Sequence, residues 1–174
     1  TNEDPYKIET ADDLYEFAKI VNRGDSLTDA ILKNDIIINE KVLSSDGNLN
    51  NGNFKEWTPI HKYSGTFDGN RHMIKGLYCY SKDDTLGLFR TCDGATIKRL
   101  GIEDSYMEVK DSYVAAICGY AENTSIYECW NAGTIKGYCR CIAGICGKIK
   151  SSSIHDCYNK GRIIAKMYTA GICD

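Results

Sequence analysis

The chain has 174 residues, 43% of them hydrophobic and 26% charged, a size at which one domain buries about two-thirds of its surface on folding. Twenty-one Lys and Arg against 24 Asp and Glu leave a net charge of −3, which removes the electrostatic reason to expect nucleic acid or an anionic membrane surface as a partner. No apolar run approaches the roughly 18 residues of a membrane span, and Thr1 is not a translation start, so any targeting segment is expected to lie outside this sequence and the N-terminus does not disclose the compartment.

In chain order, Thr10 followed by Asp13 forms a capping-box pattern, and Leu14, Phe17, Ala18 and Val21 then recur at helical spacing. Arg23 and Gly24 supply a stop. The spacing predicts an amphipathic helix over 11–23, with a second short turn around Leu27, Ala30 and Ile31. Residues 1–34 are therefore expected to be an N-terminal helical cap, and 35–174 a separate texture within the same domain. From Asp35 on, short β-branched runs (Ile36–Ile38, Thr66–Phe67, Met73–Leu77, Leu86–Phe89, Ile97–Ile102, Met107–Val109) alternate with Gly, Asn, Asp and Ser, and no helical period survives. Ser44–Asn53 reads as a mobile loop.

The most informative feature is a repeat. Ile126-Cys129-Trp130-Asn131-Gly133-Ile135 returns 28 residues later as Ile154-Cys157-Tyr158-Asn159-Gly161-Ile163, and AAICG at 115–119 returns as AGICG at 143–147 and AGIC at 170–173. Following the I-x-x-[LC] step backward gives Ile74/Leu77, Ile97/Leu100, Ile126/Cys129 and Ile154/Cys157. A second column runs Leu88, Ile117, Ile145, Ile172, flanked by Phe89, Cys118, Cys146, Cys173 on one side and Gly87, Ala116, Gly144, Gly171 on the other. A unit this small cannot bury its own apolar face and must stack on its neighbours. Three short strands and three turns fit each period, so the fold expected is an all-β right-handed parallel β-helix of about 28 residues per coil and about five coils, with a short N-terminal helical cap. A leucine-rich-repeat-like solenoid is the alternative, disfavoured because no helix fits inside the period. Asn131 and Asn159 are expected to bond between coils at a corner, with Gly133 and Gly161 permitting the turn that follows.

Nine cysteines are an odd number, and five of them (Cys118, Cys129, Cys146, Cys157, Cys173) fall on repeat columns, where they read as small reduced core residues. Cys79, Cys92, Cys139 and Cys141 lie off those columns and leave a bridge open. Both parities of 115–118 are apolar or small, so that sheet is expected to be covered on its outer side by the helix, by another part of the chain or by a second copy.

With these motifs in view, [AG]-[AG]-I-C-G followed by I-x-x-C-[WY]-N-x-G-x-I resembles the GLUG-type repeat of bacterial cell-surface and secreted proteins. Trp57-x-Pro59-Ile60, Gly65-Thr-Phe-Asp-Gly-Asn70 and Ile74-x-Gly76-Leu77 resemble the segment that precedes such repeats, so the likeness covers roughly residues 8–174. Ala-Ile-Cys or Gly-Ile-Cys stands where Gly-Leu-Val is usual, a change that keeps volume and apolarity. The resemblance implies an extracellular or cell-surface location in a bacterium, and a host protein or glycan as partner. It carries no catalytic implication, because the family is a scaffold.

The candidate chemistry is sparse. Glu128 and Asp156 share a repeat position and could be an acid pair on adjacent coils, but they read as surface charge at a corner. Asp104, Glu108 and Asp111 form an acidic cluster on one turn, and Asp68 reads as a turn residue bonding its own backbone. His61, His72 and His155 are isolated in sequence, and Cys139-x-Cys141 with Cys146 lacks a fourth metal ligand. No phosphate-cradling or dinucleotide fingerprint is present, and no cofactor or metal is expected. Trp130 and Tyr158 share a column beside inward positions, so alternation points them outward as an aromatic ladder, with Tyr127 nearby. These three are the candidate ligand-binding residues, set against a purely structural stacking role. Tyr113, Tyr138 and Tyr168 add to a tyrosine-rich surface. The leading expectation is a non-enzymatic adhesive or carbohydrate- or protein-binding module. A carbohydrate-active enzyme and a structural spacer are the competitors, and self-association through an uncapped C-terminal coil is a further expectation.

Overall fold

The computed structural model describes residues 4–82, 84–138, 141–166 and 169–173. The chain winds as a parallel β-helix. Its strands are β1 (Tyr6–Ile8), then, after helix α1 (Ala11–Asn22), β2 (Ala30–Leu32) and β3 (Ile36–Ile37). The next coils hold β4 (Thr66–Asp68), β5 (Met73–Lys75) and β6 (Tyr78–Ser81), then β7 (Phe89–Asp93), β8 (Thr96–Lys98) and β9 (Gly101–Val109). After them come β10 (Cys118–Glu122), β11 (Ser125–Tyr127) and β12 (Trp130–Gly137). Last are β13 (Ile142–Ala143), β14 (Cys146–Lys150), β15 (Ser153–His155), β16 (Tyr158–Asn159), β17 (Arg162–Ala165) and β18 (Thr169–Ala170). One face is a six-stranded parallel sheet in the order β1-β2-β4-β8-β11-β15, so the stack has six rungs where the sequence suggested five.

Like stacks on like inside the coil. Phe67, Ile97, Ile126 and Ile154 pair rung to rung, as do Phe89, Cys118 and Cys146, with Cys173 bridged to Cys146. The third side starts from Ile36, Ile74 and Ile102 and then changes to Asn131 and Asn159. Ile74 is therefore not a member of the Ile97 column, as the backward trace had it. Its rung there is Phe67, and Ile74 pairs with Ile102 one sheet further round. Outward columns follow the opposite rule and stack opposite charges: Lys75 on Glu103 at 3.0 Å, Glu108 on Lys136 at 3.3 Å and Glu122 on Lys150 at 2.7 Å.

Helix α1 has the expected start: the Thr10 side chain accepts the Asp13 amide at 3.2 Å, and the Asp13 carboxylate accepts the Thr10 amide at 2.9 Å. Its buried stripe, Leu14, Phe17, Ala18 and Val21, closes the first coil, with the Phe17 ring 5.8 Å from Tyr6, 5.9 Å from Tyr63 and 5.7 Å from Phe67. The first 34 residues do more than cap, because β1 and β2 flank the helix and supply the first two rungs of the six-stranded sheet. The short turn expected at Leu27–Ile31 is instead an exposed Leu27 followed by β2. Its two-residue alternation of buried Ala30 and Leu32 was masked by the helical pattern just before it.

The Ser44–Asn53 segment is not a free tip. Leu43 and Leu49 bridge antiparallel, the Asp104 carboxylate accepts the Val42 and Leu43 amides at 3.2 and 2.7 Å, and Thr134 donates to the Gly47 carbonyl at 2.7 Å. Arg162 reaches Asn48 at 2.6 Å, so this hairpin lies across three coils.

The helix does not cover 115–119. Residues 115–117 form a corner rather than a strand, so both parities turn into protein and Ala115, Ala116, Ile117 and Cys118 are all fully buried. The neighbouring chain supplies the outer cover: Thr85 crowds Gly119 so closely that a Cβ there would lie 2.1 Å from its methyl, and Tyr113 lies against Gly147. A thiol reagent should accordingly label Cys118 and Cys146 no faster than the protein unfolds, and rapid labelling of the folded state would contradict this packing.

Candidate functional site

The repeat phrase builds one corner of the coil. Ile126 points in, Tyr127 out, Glu128 turns the chain at φ 51°, Cys129 points in, Trp130 out and Asn131 in. The next coil repeats it with Ile154, His155, Asp156 at φ 53°, Cys157, Tyr158 and Asn159. Arg99 holds the same left-handed position one coil earlier at φ 54°. Non-glycine residues rarely adopt this geometry, and three consecutive coils share it because the corner is fixed by the ladders on both sides.

Two outward aromatic pairs result. Trp130 and Tyr158 stack with ring centroids 6.1 Å apart and planes within 3°, as the alternation predicted. Tyr127 stacks on His155 at 5.0 Å and 4°, so His155, isolated in sequence, is a ring partner on the next coil. Trp130 also lies flat over Gly101 on the coil below, where a Cβ would sit 2.3 Å from the indole. Tyr158 is 45% exposed, and Lys160 reaches over its ring at 5.1 Å. The rings therefore cover one another along the stack, leaving to solvent their edges and the part of Tyr158 that Lys160 does not cover.

Below Tyr127 the column continues as Lys98 and Asp68. Arg99 grips Asp68 with Nε and Nη2, the Nε contact being 3.0 Å, while the Asn70 amide donates to the same carboxylate at 2.8 Å. Asp68 is thus more than a turn residue. Burial pushes its carboxyl up, but the hydrogen bonds from Arg99 and Asn70 and the charges of Arg99 and Lys98 outweigh that and hold it below the ordinary range. The folded protein therefore binds this proton less readily than the unfolded chain. The stabilisation is complete above the ordinary Asp value of about 3.9 and lost as pH falls through the lower folded value. Asp68→Asn should cost about 2 kcal/mol at pH 7, and the gap to wild type should begin to narrow only below about pH 4 and vanish below the lower folded value; urea titrations across that range check it.

The remaining candidates do not converge. Glu128 and Asp156 are exposed on adjacent corners, side by side along the stack. Asp104 holds the hairpin amides, whereas Glu108 sits in β9 against Tyr106 at 2.6 Å and Lys136 at 3.3 Å, so the acidic cluster is dispersed. His72 meets Asp35 at 3.2 Å and His155 meets Asp156 at 2.9 Å. Cys79, Cys92, Cys118, Cys129, Cys146 and Cys157 are free thiols, and all but Cys157 are buried. Cys139 and Tyr168 lie outside the described residues. Among the described residues no group of three or more His, Cys, Asp or Glu converges as a metal site.

One cleft escaped the sequence reading. A cavity of about 290 Å³ is lined by Glu56, Trp57, Tyr80, Ser81, Asp84 and Arg90, among others. The Arg90 Nη1 lies 3.4 Å from Asp84, and its Nε is buried without a hydrogen-bond partner. These residues come from segments that share no repeat phrase, so no column could have revealed them.

No family model matches the sequence, and no curated protein does. Among solved structures, the chain is similar to a Bacteroides ovatus protein described as a “putative immunoglobulin A1 protease”, with a TM-score of 0.73 and 16% identity. The match covers 99% of this chain and 62% of that one, so this chain spans less than two-thirds of its neighbour's length. At that identity the likeness establishes the solenoid fold and nothing finer.

Proposed function

We propose that this chain is a binding module of the GLUG-repeat kind, exported to a bacterial surface, which presents the corner formed by Tyr127, Trp130, His155 and Tyr158 to a glycan or glycoprotein. The observation that carries this reading is the array itself. Two parallel ring stacks stand on a corner whose backbone is fixed on three coils, and they end in an exposed tyrosine. Rigid aromatic platforms with polar groups at their margins, here Glu128, Asp156 and Lys160, suit the alternating apolar and hydroxylated faces of sugars. The reading is non-enzymatic because Glu128 and Asp156, the acids of this corner, lie side by side along one outer edge of the stack.

Screening against a panel of glycans and mucins tests it. Binding is expected, with the Trp130→Ala/Tyr158→Ala double variant at least tenfold weaker, a loss of about 1.4 kcal/mol or more. Absence of binding by the wild type would leave the spacer role. Equal binding by the variant would move the site elsewhere.

The cleft at Arg90 favours a second reading, a carbohydrate-active enzyme in which Glu56 and Asp84 act as the acid pair beside an anion-binding guanidinium. Glycan turnover abolished by Glu56→Gln or Asp84→Asn would support it, and turnover indifferent to both would end it.

A further inference from the structure

We propose that Cys129 and Cys157 are an oxidative cross-linking site, at which hydrogen peroxide joins the two thiols in a disulfide that staples the sixth rung of the stack to the fifth. The geometry is that of a clean pair. The column at this corner runs Leu100, Cys129, Cys157, so each thiol has one sulfur neighbour in its column and Leu100 closes the lower side. In-register parallel strands place such residues roughly 4.8 Å apart at Cα, inside the range of about 4.4–6.8 Å that a disulfide spans. Each thiol approaches the carbonyl two residues before it, Tyr127 at 3.3 Å and His155 at 3.2 Å, and the Cys157 sulfur also reaches the Ile126 carbonyl of the coil below at 3.8 Å.

Access separates this pair from the other thiol ladder. Cys118 and Cys146 also face each other on adjacent rungs, but both are fully buried and out of an oxidant's reach. At the corner, Cys129 is buried and Cys157 half-buried. The neighbouring Cys129 thiol is the main cause that draws the Cys157 thiol below the ordinary cysteine range, which favours its reactive thiolate form. In the first step the Cys157 thiolate attacks one peroxide oxygen. The O–O bond breaks, leaving a sulfenic acid and a hydroxide that takes a proton to become water. Cys129 then attacks the Cys157 sulfur, the S–S bond forms, the S–O bond breaks, and the departing hydroxide leaves as water with the Cys129 proton. Two thiols lose two electrons and one peroxide becomes two waters.

The cross-link joins a fully packed coil to a less covered one. Ile126, Cys129, Ile135 and Ile145 are buried, whereas their counterparts on the last rung, Ile154, Cys157, Ile163 and Ile172, are only partly so. A bond closing a 28-residue loop there constrains the unfolded chain.

Brief treatment of the folded protein with a small excess of hydrogen peroxide, followed by alkylation and non-reducing peptide mapping, tests the proposal. The expected product is a Cys129–Cys157 peptide, with Cys118 and Cys146 still alkylatable after unfolding. A rise in Tm of about 5 °C should accompany it in wild type and be absent from Cys157→Ser. Three outcomes would overturn the proposal: Cys157 advancing to sulfinic acid while Cys129 stays a thiol, a disulfide mapping to another pair, or covalent dimers through Cys157. The wild-type peptide map decides the matter even if the serine variant fails to fold.

Discussion

Replacing Phe17 with alanine should destabilise the protein by about 3–5 kcal/mol, read as a lower urea midpoint with the slope retained. Phe17 is fully buried and touches three rings from two coils, Tyr6 on the first and Tyr63 and Phe67 on another. Phe67 in turn meets Phe89, and Tyr63 stacks on Phe89 at 5.0 Å, so the helix plugs an aromatic core that runs up into the fourth rung. A solenoid conveys stability through contacts between neighbouring repeats, and the cap terminates that chain of contacts at the N-terminal end. A loss below 1 kcal/mol would mean that the helix rests on the stack without sealing it.

Asn131→Ala should cost about 3 kcal/mol, whereas Asn159→Ala should cost about 1 kcal/mol. The Asn131 side chain is fully buried. Its Oδ1 accepts the Gly133 amide at 2.9 Å, and its Nδ2 donates to Asn159 Oδ1 at 2.8 Å, so deleting it leaves buried groups unsatisfied as well as a void. Asn159 makes the same bonds to Gly161 but is half-buried, and water can replace what it loses. The glycines that follow serve a different purpose from the one expected. A Cβ on Gly161 would lie 2.1 Å from the Gly133 carbonyl, and one on Gly133 would lie 2.7 Å from the Ser105 carbonyl, so they permit the close approach of coils at the bulge in β12. Equal losses from the two asparagine variants would contradict a buried amide ladder.

What could be read from the sequence depended on how closely successive coils copy one another. The last coils share residue types at inward positions, and there the columns, the outward Trp130 and Tyr158 and the asparagine ladder were all legible. Earlier, the column changes its occupant to Phe67, and a hairpin is inserted between Asn39 and Lys55 that Asn39 itself ties down, donating to the Lys55 carbonyl at 2.8 Å. The phrase Ile74-x-x-Leu77 then imitated the missing rung at the wrong sheet. The left-handed corners were invisible for a chemical reason, since Arg99 and Glu128 carry none of the Gly or Asn signature of that conformation. The Arg90 cleft depends on side chains meeting between segments of unlike sequence, where a repeat gives no guide, whereas the Tyr127–His155 stack joins unlike residues at one repeat position.

The stacking of coils is tested most directly by methyl NOEs in a sample labelled at isoleucine. The structure predicts contacts between Ile97 and Ile126 and between Ile126 and Ile154, with Ile74 contacting Ile102 and not Ile97. Absence of the Ile97–Ile126–Ile154 series, or helical backbone contacts in the stretches between those residues, would contradict the parallel β-helix and every reading built on it.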